Sequence, residues 1–376
     1  MVYLDNAATS FPKPPEVLRR VKEVLEKHGG NPGRGGHYLA RKADEEVYNC
    51  RKEVKEFFNA GKEDNVVFTQ NATTALNICI NGLVEKGNRV ITTDYEHNSV
   101  RRPLMHIPNA EIYKVPISLE DQDETLWRFE NSINRRIHYF VVSHASNVFG
   151  KSIPLKGICQ LAHRIGAEVI VDASQSAGIL DIDMQRDEID YLCAPGHKGL
   201  YGPQGSGFFI INGKRIPKPY IYGGTGSASF ASEQPNFLPD MHESGTLSTP
   251  AISGLAAGVR FLKRIGRDSA HRREFTLISR CYEHLSGMKN ILLYAPKPTL
   301  EDAPLLSFNI RGKPSFETAK LLDEYGFCVR AGYHCAPDAH RKLLTTEHGT
   351  VRVSVGVFNT PSEIDRFAEI LQKISK

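Results

Sequence analysis

One arrangement recurs along this chain: a short apolar run, then at once a group of small, polar or ionisable residues. After Val66-Val67-Phe68 come Thr69-Gln70-Asn71-Ala72-Thr73-Thr74 and a helical pattern. Small hydroxyl residues at a helix start leave backbone N–H groups free at the positive end of the helix dipole, a place for an anion and above all a phosphate. After Ile91-Thr92 comes Asp94-Tyr95-Glu96-His97-Asn98-Ser99, whose His97 can stack on a ring or move a proton. Val141-Val142 leads into Ser143-His144-Ala145-Ser146-Asn147. Glu168 to Val171 ends in Asp172-Ala173-Ser174-Gln175-Ser176. A carboxylate that closes a buried strand is costly unless a cation or hydrogen-bond donors meet it. Tyr191-Leu192-Cys193 runs into Ala194-Pro195-Gly196-His197-Lys198-Gly199. A lysine in a Gly/Pro frame, drawn out of water, has a lowered pKa and is a candidate for imine chemistry.

Each of these has an ordinary alternative: a helix N-cap at Thr73 or Asp172, a surface histidine at His97, a solvated lysine at Lys198. Their succession points further. A phosphate cradle, an aromatic stacker, a buried carboxylate and a caged lysine, each at the end of a successive strand, are what pyridoxal 5′-phosphate requires. Its phosphate needs a helix N-terminus, its ring nitrogen a carboxylate and its aldehyde a lysine.

The elements that must position these residues are legible in the periodicity. Strand-like runs lie at 66–68, 89–92, 137–143, 168–171, 191–193 and 207–211, nearly continuous in apolar character as strands covered on both faces are. Thr73 to Leu83 and Leu155 to Ile165 carry apolar residues at helical spacing between them. Strands alternating with helices predict an α/β fold with a mainly parallel sheet, where ligands sit at the carboxyl ends of the strands. Beyond Gly254 the texture changes. Helical patterns at 252–265, 272–285, 316–325 and 361–375 accompany strand-like pieces at 305–310 and 350–355, a smaller α+β unit. Residues 15–255 are therefore expected to form a large cofactor-binding domain, and residues 1–14 with 256–376 a small one. The Pro-rich stretch Phe11 to Pro15 is expected to lie across the larger unit.

The bulk properties agree. With 376 residues, 40% apolar and 24% charged, the chain is an ordinary globular protein with ample core. A formal charge of +4 without runs of like charge gives nucleic-acid binding no support. No stretch approaches the length of a membrane span, and the polar start MVYLDNAATSFPKP lacks the features of a signal peptide. Seven dispersed cysteines with no C-x-x-C fit a reducing cytoplasm better than a disulfide framework or a metal site. No G-x-G-x-x-G follows the first strand, which disfavours a dehydrogenase.

Over essentially its whole length, from Tyr3-Leu4-Asp5-Asn6-Ala7-Ala8 to Val357-Phe358-Asn359-Thr360, the chain resembles the class V aminotransferase group of fold-type I pyridoxal-phosphate enzymes. Within that group it is similar to the SufS-like, group II cysteine desulfurases. The resemblance is carried by Glu96-His97, Ser146-Asn147, Asp172-Ala173-Ser174-Gln175, Gly196-His197-Lys198, Glu243-Ser244-Gly245-Thr246, Arg330-Ala331-Gly332-Tyr333-His334-Cys335 and Arg352-Val353-Ser354, all in order. Pro195 stands where such enzymes usually carry a hydroxyl residue, so one phosphate contact is lost or passes to another donor. Arg-Ala-Gly-Tyr likewise replaces the more usual Arg-Thr-Gly-His before Cys335.

The resemblance implies the following roles. Lys198 holds the cofactor and shuttles protons, Asp172 pairs with the ring nitrogen, Gln175 bonds the phenolic oxygen and His97 stacks on the ring. Ala72 and Thr73 hold the phosphate with His197, and Thr246 reaches it from the other subunit of a homodimer. Asn147, Arg330 and Arg352 bind substrate, Arg352 by a bidentate fork on its carboxylate. Cys335 is the nucleophile that takes sulfur from L-cysteine, leaving L-alanine and a persulfide that passes to an acceptor protein or small thiol. His334 and Arg330 beside it are expected to favour the thiolate. The alternatives are another class V enzyme that needs no loop thiolate (selenocysteine lyase, cysteine sulfinate desulfinase, transaminase or epimerase) and a non-enzymatic scaffold. Intact Lys198 and Asp172 argue against the scaffold.

Overall fold

A computed structural model describes residues 1–33 and 35–376 of the chain. In chain order its elements are β1 (Val2–Tyr3), α1 (Pro15–Lys27), α2 (Tyr38–Phe57), β2 (Val66–Thr69), α3 (Ala72–Leu83), β3 (Arg89–Thr93), α4 (Asn98–His106), β4 (Glu111–Val115), α5 (Gln122–Asn131), β5 (Tyr139–Ser143), α6 (Leu155–Arg164), β6 (Glu168–Asp172), β7 (Tyr191–Pro195), β8 (Gly207–Ile211), α7 (Thr249–Ile265) and α8 (Arg267–Ser286). There follow β9 (Ile291–Leu293), β10 (Leu305–Ile310), α9 (Ser315–Glu324), β11 (Phe327–Cys328), β12 (Arg330–Gly332), α10 (Pro337–Lys342), β13 (Thr350–Ser354) and α11 (Pro361–Ile374).

Seven strands form one sheet in the order β2-β8-β7-β6-β5-β3-β4. It is parallel throughout except at β8, which is antiparallel to both β2 and β7. Because β2 and β7 both oppose β8, they run the same way, and the carboxyl ends of β2, β3, β5, β6 and β7 share one edge. The sheet is thus α/β and mainly parallel, as the alternating pattern predicts. Its central strands β5 to β8 are buried on both faces. On β5, Phe140 and Val142 join the core beneath α2, α6 and α7, while Tyr139 and Val141 join the core beneath α3 and α4. The edge strand β4, Glu-Ile-Tyr-Lys-Val, carries no signal that the apolar runs share, because only its Val115 is buried.

A second sheet of four antiparallel strands, β12-β13-β10-β9, packs with α8, α9 and α11 around a separate core that includes Phe308, Phe327, Val353 and Phe367. α7 begins three residues before its apolar periodicity does, since Pro250 occupies the first turn, where a missing N–H costs nothing. The amino-terminal segment joins the two sheets. β1 pairs in parallel with β11, while Ser10 N donates to His197 O at 3.1 Å and Lys13 Nζ to the same oxygen at 2.8 Å. Among the described residues no helix is long and apolar enough to cross a membrane.

One buried ion pair ties the irregular stretch before α7 to the sheet. Arg51 on α2 bonds Glu243 and the Val66 carbonyl, and Glu243 Oε1 accepts from Phe68 N at 2.7 Å. Both side chains are buried, so each depends on the other for its charge. Glu243→Ala leaves the guanidinium uncompensated and is expected to lower stability by about 3–5 kcal/mol, with Glu243→Gln milder, as read from urea denaturation midpoints. A loss under ~1 kcal/mol for Glu243→Ala would show that water replaces the carboxylate.

Candidate active site

The carboxyl ends of β2, β3, β5, β6 and β7 enclose a cavity of about 100 Å³ that opens to solvent. Its wall contains Ala72, Thr73, His97, Asn147, Asp172, Gln175, His197 and Lys198, so residues spread over more than a hundred positions of sequence meet in one place. Thr246, Arg330, Arg352 and Cys335 lie outside that wall.

The start of α3 is the anion end of the cavity. Asn71 caps the helix, its Oδ1 accepting from Thr74 N at 2.9 Å, which leaves the N–H groups of Ala72 and Thr73 for a ligand. The hydroxyls of Thr73 and Ser99 lie 2.7 Å apart beside it. Pro195 forms part of the wall and brings no donor, while Thr73 and Ser99 bring hydroxyls to it. β8 passes behind the cap at Gly207, where a Cβ would sit 2.6 Å from the Asn71 carbonyl carbon.

His97 caps α4. Its Nδ1 accepts from Ser99 N at 3.0 Å, which leaves Nε2 as the nitrogen that carries the proton. Burial and the charges of Lys198, Arg330 and Arg352 outweigh Asp172 and push the His97 pKa down to about 4, so the ring is neutral. His197 is likewise held near 4 by burial and by Lys198, and its Nδ1 is buried without a partner. Asp172 closes β6. Its Oδ1 accepts from Ser174 N at 2.9 Å, while Oδ2 takes no hydrogen bond among the described residues. Gln175 donates Nε2 to Ala7 O at 3.1 Å, which fixes its amide at the wall.

Lys198 follows β7 in a tight turn, with Tyr201 N donating to Lys198 O at 2.9 Å and Gly202 N to Gly196 O at 2.8 Å. Burial lowers its pKa to about 8 against the pull of Asp172, with Arg352 and Arg330 adding to the fall. The amine forms no hydrogen bond among the described residues. An uncommitted amine of lowered pKa opposite a carboxylate suits imine formation and proton transfer.

Cys335 is the exposed thiol of the chain and stands at the mouth of the site. It lines a second groove that shares Thr73, His97 and Ser99 with the cavity. Two successive residues, His334 and Cys335, have positive φ, which turns the loop sharply there. The loop is pinned on both sides, by Asn98 N donating to Cys335 O at 2.7 Å and Asn147 Nδ2 to His334 O at 2.6 Å. The expected help from His334 fails. Burial, Arg352 and other nearby positive groups push its pKa to about 2, so the ring is neutral and adds no charge beside the thiol. Its Nε2 lies 3.1 Å from Thr350 O and Oγ1 instead.

Arg352 lies behind the cavity wall and is engaged by the chain itself. It is 1% exposed, bonded to Asn147 O at 2.9 Å and to Asp5 Oδ1 at 2.8 Å. Arg330 pairs with it across β12 and β13 and carries no ion pair among the described residues. Asp5, Ser99 and the Glu96 carboxylate join the site without a role expected from the sequence. The His97-x-Ser99 spacing of a capping turn was the signal for Ser99, and a buried arginine's need for a counter-charge was the signal for Asp5.

The class-V aminotransferase family matches residues 2–367. The chain belongs to that family. Curated relatives include a protein of Methanothermobacter thermautotrophicus named "probable cysteine desulfurase", 33% identical over all of this chain and 94% of its own length. A protein of the same name from Synechocystis sp. is 34% identical over 99% of this chain and 90% of its own. Among solved structures, the apo cysteine desulfurase of Thermococcus onnurineus superposes with a TM-score of 0.90 at 30% identity, covering all of this chain and 94% of that one. The family is pyridoxal-phosphate dependent, and the side chains here fit that group: free N–H groups at α3, an unpartnered His197 Nδ1, an open Asp172 oxygen and a free Lys198 amine.

Gly207→Ala drives a methyl into the Asn71 backbone and is expected to displace the α3 cap. The expected outcome is at least about tenfold weaker uptake of pyridoxal phosphate, about 1.4 kcal/mol, with the fold retained. Fluorescence titration of the apoprotein reads this, and unaltered affinity would show that the helix start does not hold the anion.

Proposed function

We propose that the chain is a pyridoxal-phosphate-dependent cysteine desulfurase that converts L-cysteine to L-alanine and carries the released sulfur as a persulfide on Cys335. The observation that carries this reading is the position of the exposed Cys335 thiol, in a pinned loop at the mouth of the cavity that holds Lys198, Asp172 and His97. The names of the relatives support it.

Each side chain then has a task. The α3 start, Thr73 and His197 hold the phosphate, Asp172 the ring nitrogen, Gln175 the phenolic oxygen and His97 the ring face. When bound, the cofactor supplies an electron sink for the charge left at the substrate α-carbon. Lys198, with a pKa near 8, takes the α-proton and returns it to carbon. Asn147, Arg330 and Arg352 receive the substrate carboxylate. The Cys335 thiolate attacks the substrate sulfur: an S–S bond forms and the C–S bond breaks. The balance is L-cysteine plus enzyme thiol to L-alanine plus enzyme persulfide, which an acceptor protein or small thiol then discharges. A reducing cytoplasm suits a chain whose seven cysteines are all free.

Cys335→Ser tests the reading. A serine hydroxyl ionises far too weakly to replace a soft thiolate, so alanine output from L-cysteine is expected to fall by more than about a hundredfold, ~2.7 kcal/mol in barrier. The cofactor absorbance change on adding L-cysteine is expected to survive. Near-normal alanine output would sink the persulfide step and favour a class V lyase or transaminase.

The same proposal includes a homodimer. Thr246 is exposed and is not part of its own chain's cavity wall, and the irregular stretch that leads to it exposes Tyr220, Ile221, Tyr222, Phe230 and Phe237. Apolar surface grouped in this way calls for a partner. Light scattering on the purified holoenzyme is expected to give twice the 41.9 kDa chain mass. A fully active monomer would refute it.

A further inference from the structure

Arg352 is the most fully engaged cation of the site. Nη1 donates to Asn147 O at 2.9 Å, Nη2 to Asp5 Oδ1 at 2.8 Å, and the buried Nε has no partner. Each terminal nitrogen thus has one of its two N–H groups committed within the chain. Asp5 is placed there by backbone bonds. It bridges Ser354 in parallel, with Ser354 N donating to Leu4 O at 2.8 Å and Ala7 N to Ser354 Oγ at 2.8 Å. The carboxylate therefore meets the arginine two positions away on β13 by strand geometry, and it keeps about a fifth of its side chain in solvent while Arg352 keeps almost none.

A buried guanidinium needs a counter-charge, and Asp5 supplies it from within the chain. A substrate α-carboxylate offers the same chemistry, one negative charge and two acceptor oxygens. Two carboxylates crowding one guanidinium repel each other. We propose that Asp5 is a stand-in for the substrate carboxylate: it holds Arg352 in the empty site and competes with the incoming α-amino acid for it, which sets the affinity of the site for carboxylated amines. This rests on Arg352 receiving that carboxylate, as in the function proposed above. The exchange reaches further, because the segment that carries Asp5 also bonds Gln175 through Ala7 O and the Lys198 turn through Ser10 N. Asp5 is a positioning residue, and its loss has two effects of opposite sign: a weaker fold and tighter carboxylate binding.

The test uses the holoenzyme and Asp5→Asn, which keeps an acceptor for Nη2 and removes the charge. L-Alanine and ethylamine, the same amine without its carboxylate, are titrated against the cofactor absorbance band. The Kd for L-alanine is expected to fall about tenfold, within the 5–150-fold range of ordinary site coupling, while that for ethylamine stays constant and the thermal midpoint of the apoprotein drops. An unchanged or weaker L-alanine Kd, or an equal shift for both amines, overturns the proposal. If Asp5→Asn does not fold, Asp5→Glu displaces the charge by one methylene. L-Alanine affinity is then expected to change and ethylamine affinity not, and constancy of both is refuting. Alanine production from L-cysteine by the unaltered chain decides the desulfurase reading separately.

Discussion

The site is governed by a charge balance at the carboxyl edge of the parallel sheet. Lys198, Arg330 and Arg352 bring positive charge there, and Asp172 and Asp5 are the carboxylates that answer it. At the dielectric of a partly buried site, unit charges about 4 Å apart interact by about 4 kcal/mol. Small changes in pairing therefore move protonation states. Burial and the two arginines win at Lys198, which titrates near 8, and burial with neighbouring cations keeps His97, His197 and His334 neutral. The excess positive charge is what an anionic cofactor and a carboxylate substrate would neutralise.

A layer of buried polar groups stiffens this edge from below. Glu96 accepts from Thr93 Oγ1 and Ser143 Oγ, each at 2.6 Å, and from Ser143 N at 3.0 Å, joining the ends of β3 and β5 directly beside His97. Burial raises its pKa to about 7 despite those bonds. Ser143 is in turn the strand partner of Asp172, so the histidine and the carboxylate are held by one network. Under the lysine turn, Tyr201 bonds Glu274 at 3.1 Å and receives Val357 N at 3.1 Å. Networks whose members are all bonded keep a single geometry, which imine and proton-transfer chemistry demands.

The amino-terminal segment binds these parts together. Between Val2 and Lys13 it pairs with β11, bridges β13, supplies Asp5 to Arg352, receives Gln175 at Ala7 and surrounds the His197 carbonyl with Thr9, Ser10 and Lys13. It is too short and too polar to fold alone, and its conformation is dictated by the two sheets it touches.

Much of this was written locally in the chain. Apolar runs specify β2, β3 and β5 to β8, since strands covered on both faces must be apolar throughout. Asn71 to Thr73, His97, Asp172 and Lys198 stand directly after those strands, so a parallel sheet is bound to gather them, and the cavity does contain them. Other features had no local signature. The edge strand β4 is half polar because one side of it meets solvent. His334 looked like a cation beside Cys335, and only its burial against Arg352 makes it neutral. The counter-charge of Arg352 had no local signature either, since only the fold places Asp5 on it across 347 positions of sequence. Periodicity and strand ends depend on near neighbours and can be read along the chain. Protonation states and ion pairs depend on which distant segments share a low-dielectric space, and that is decided by the tertiary structure alone.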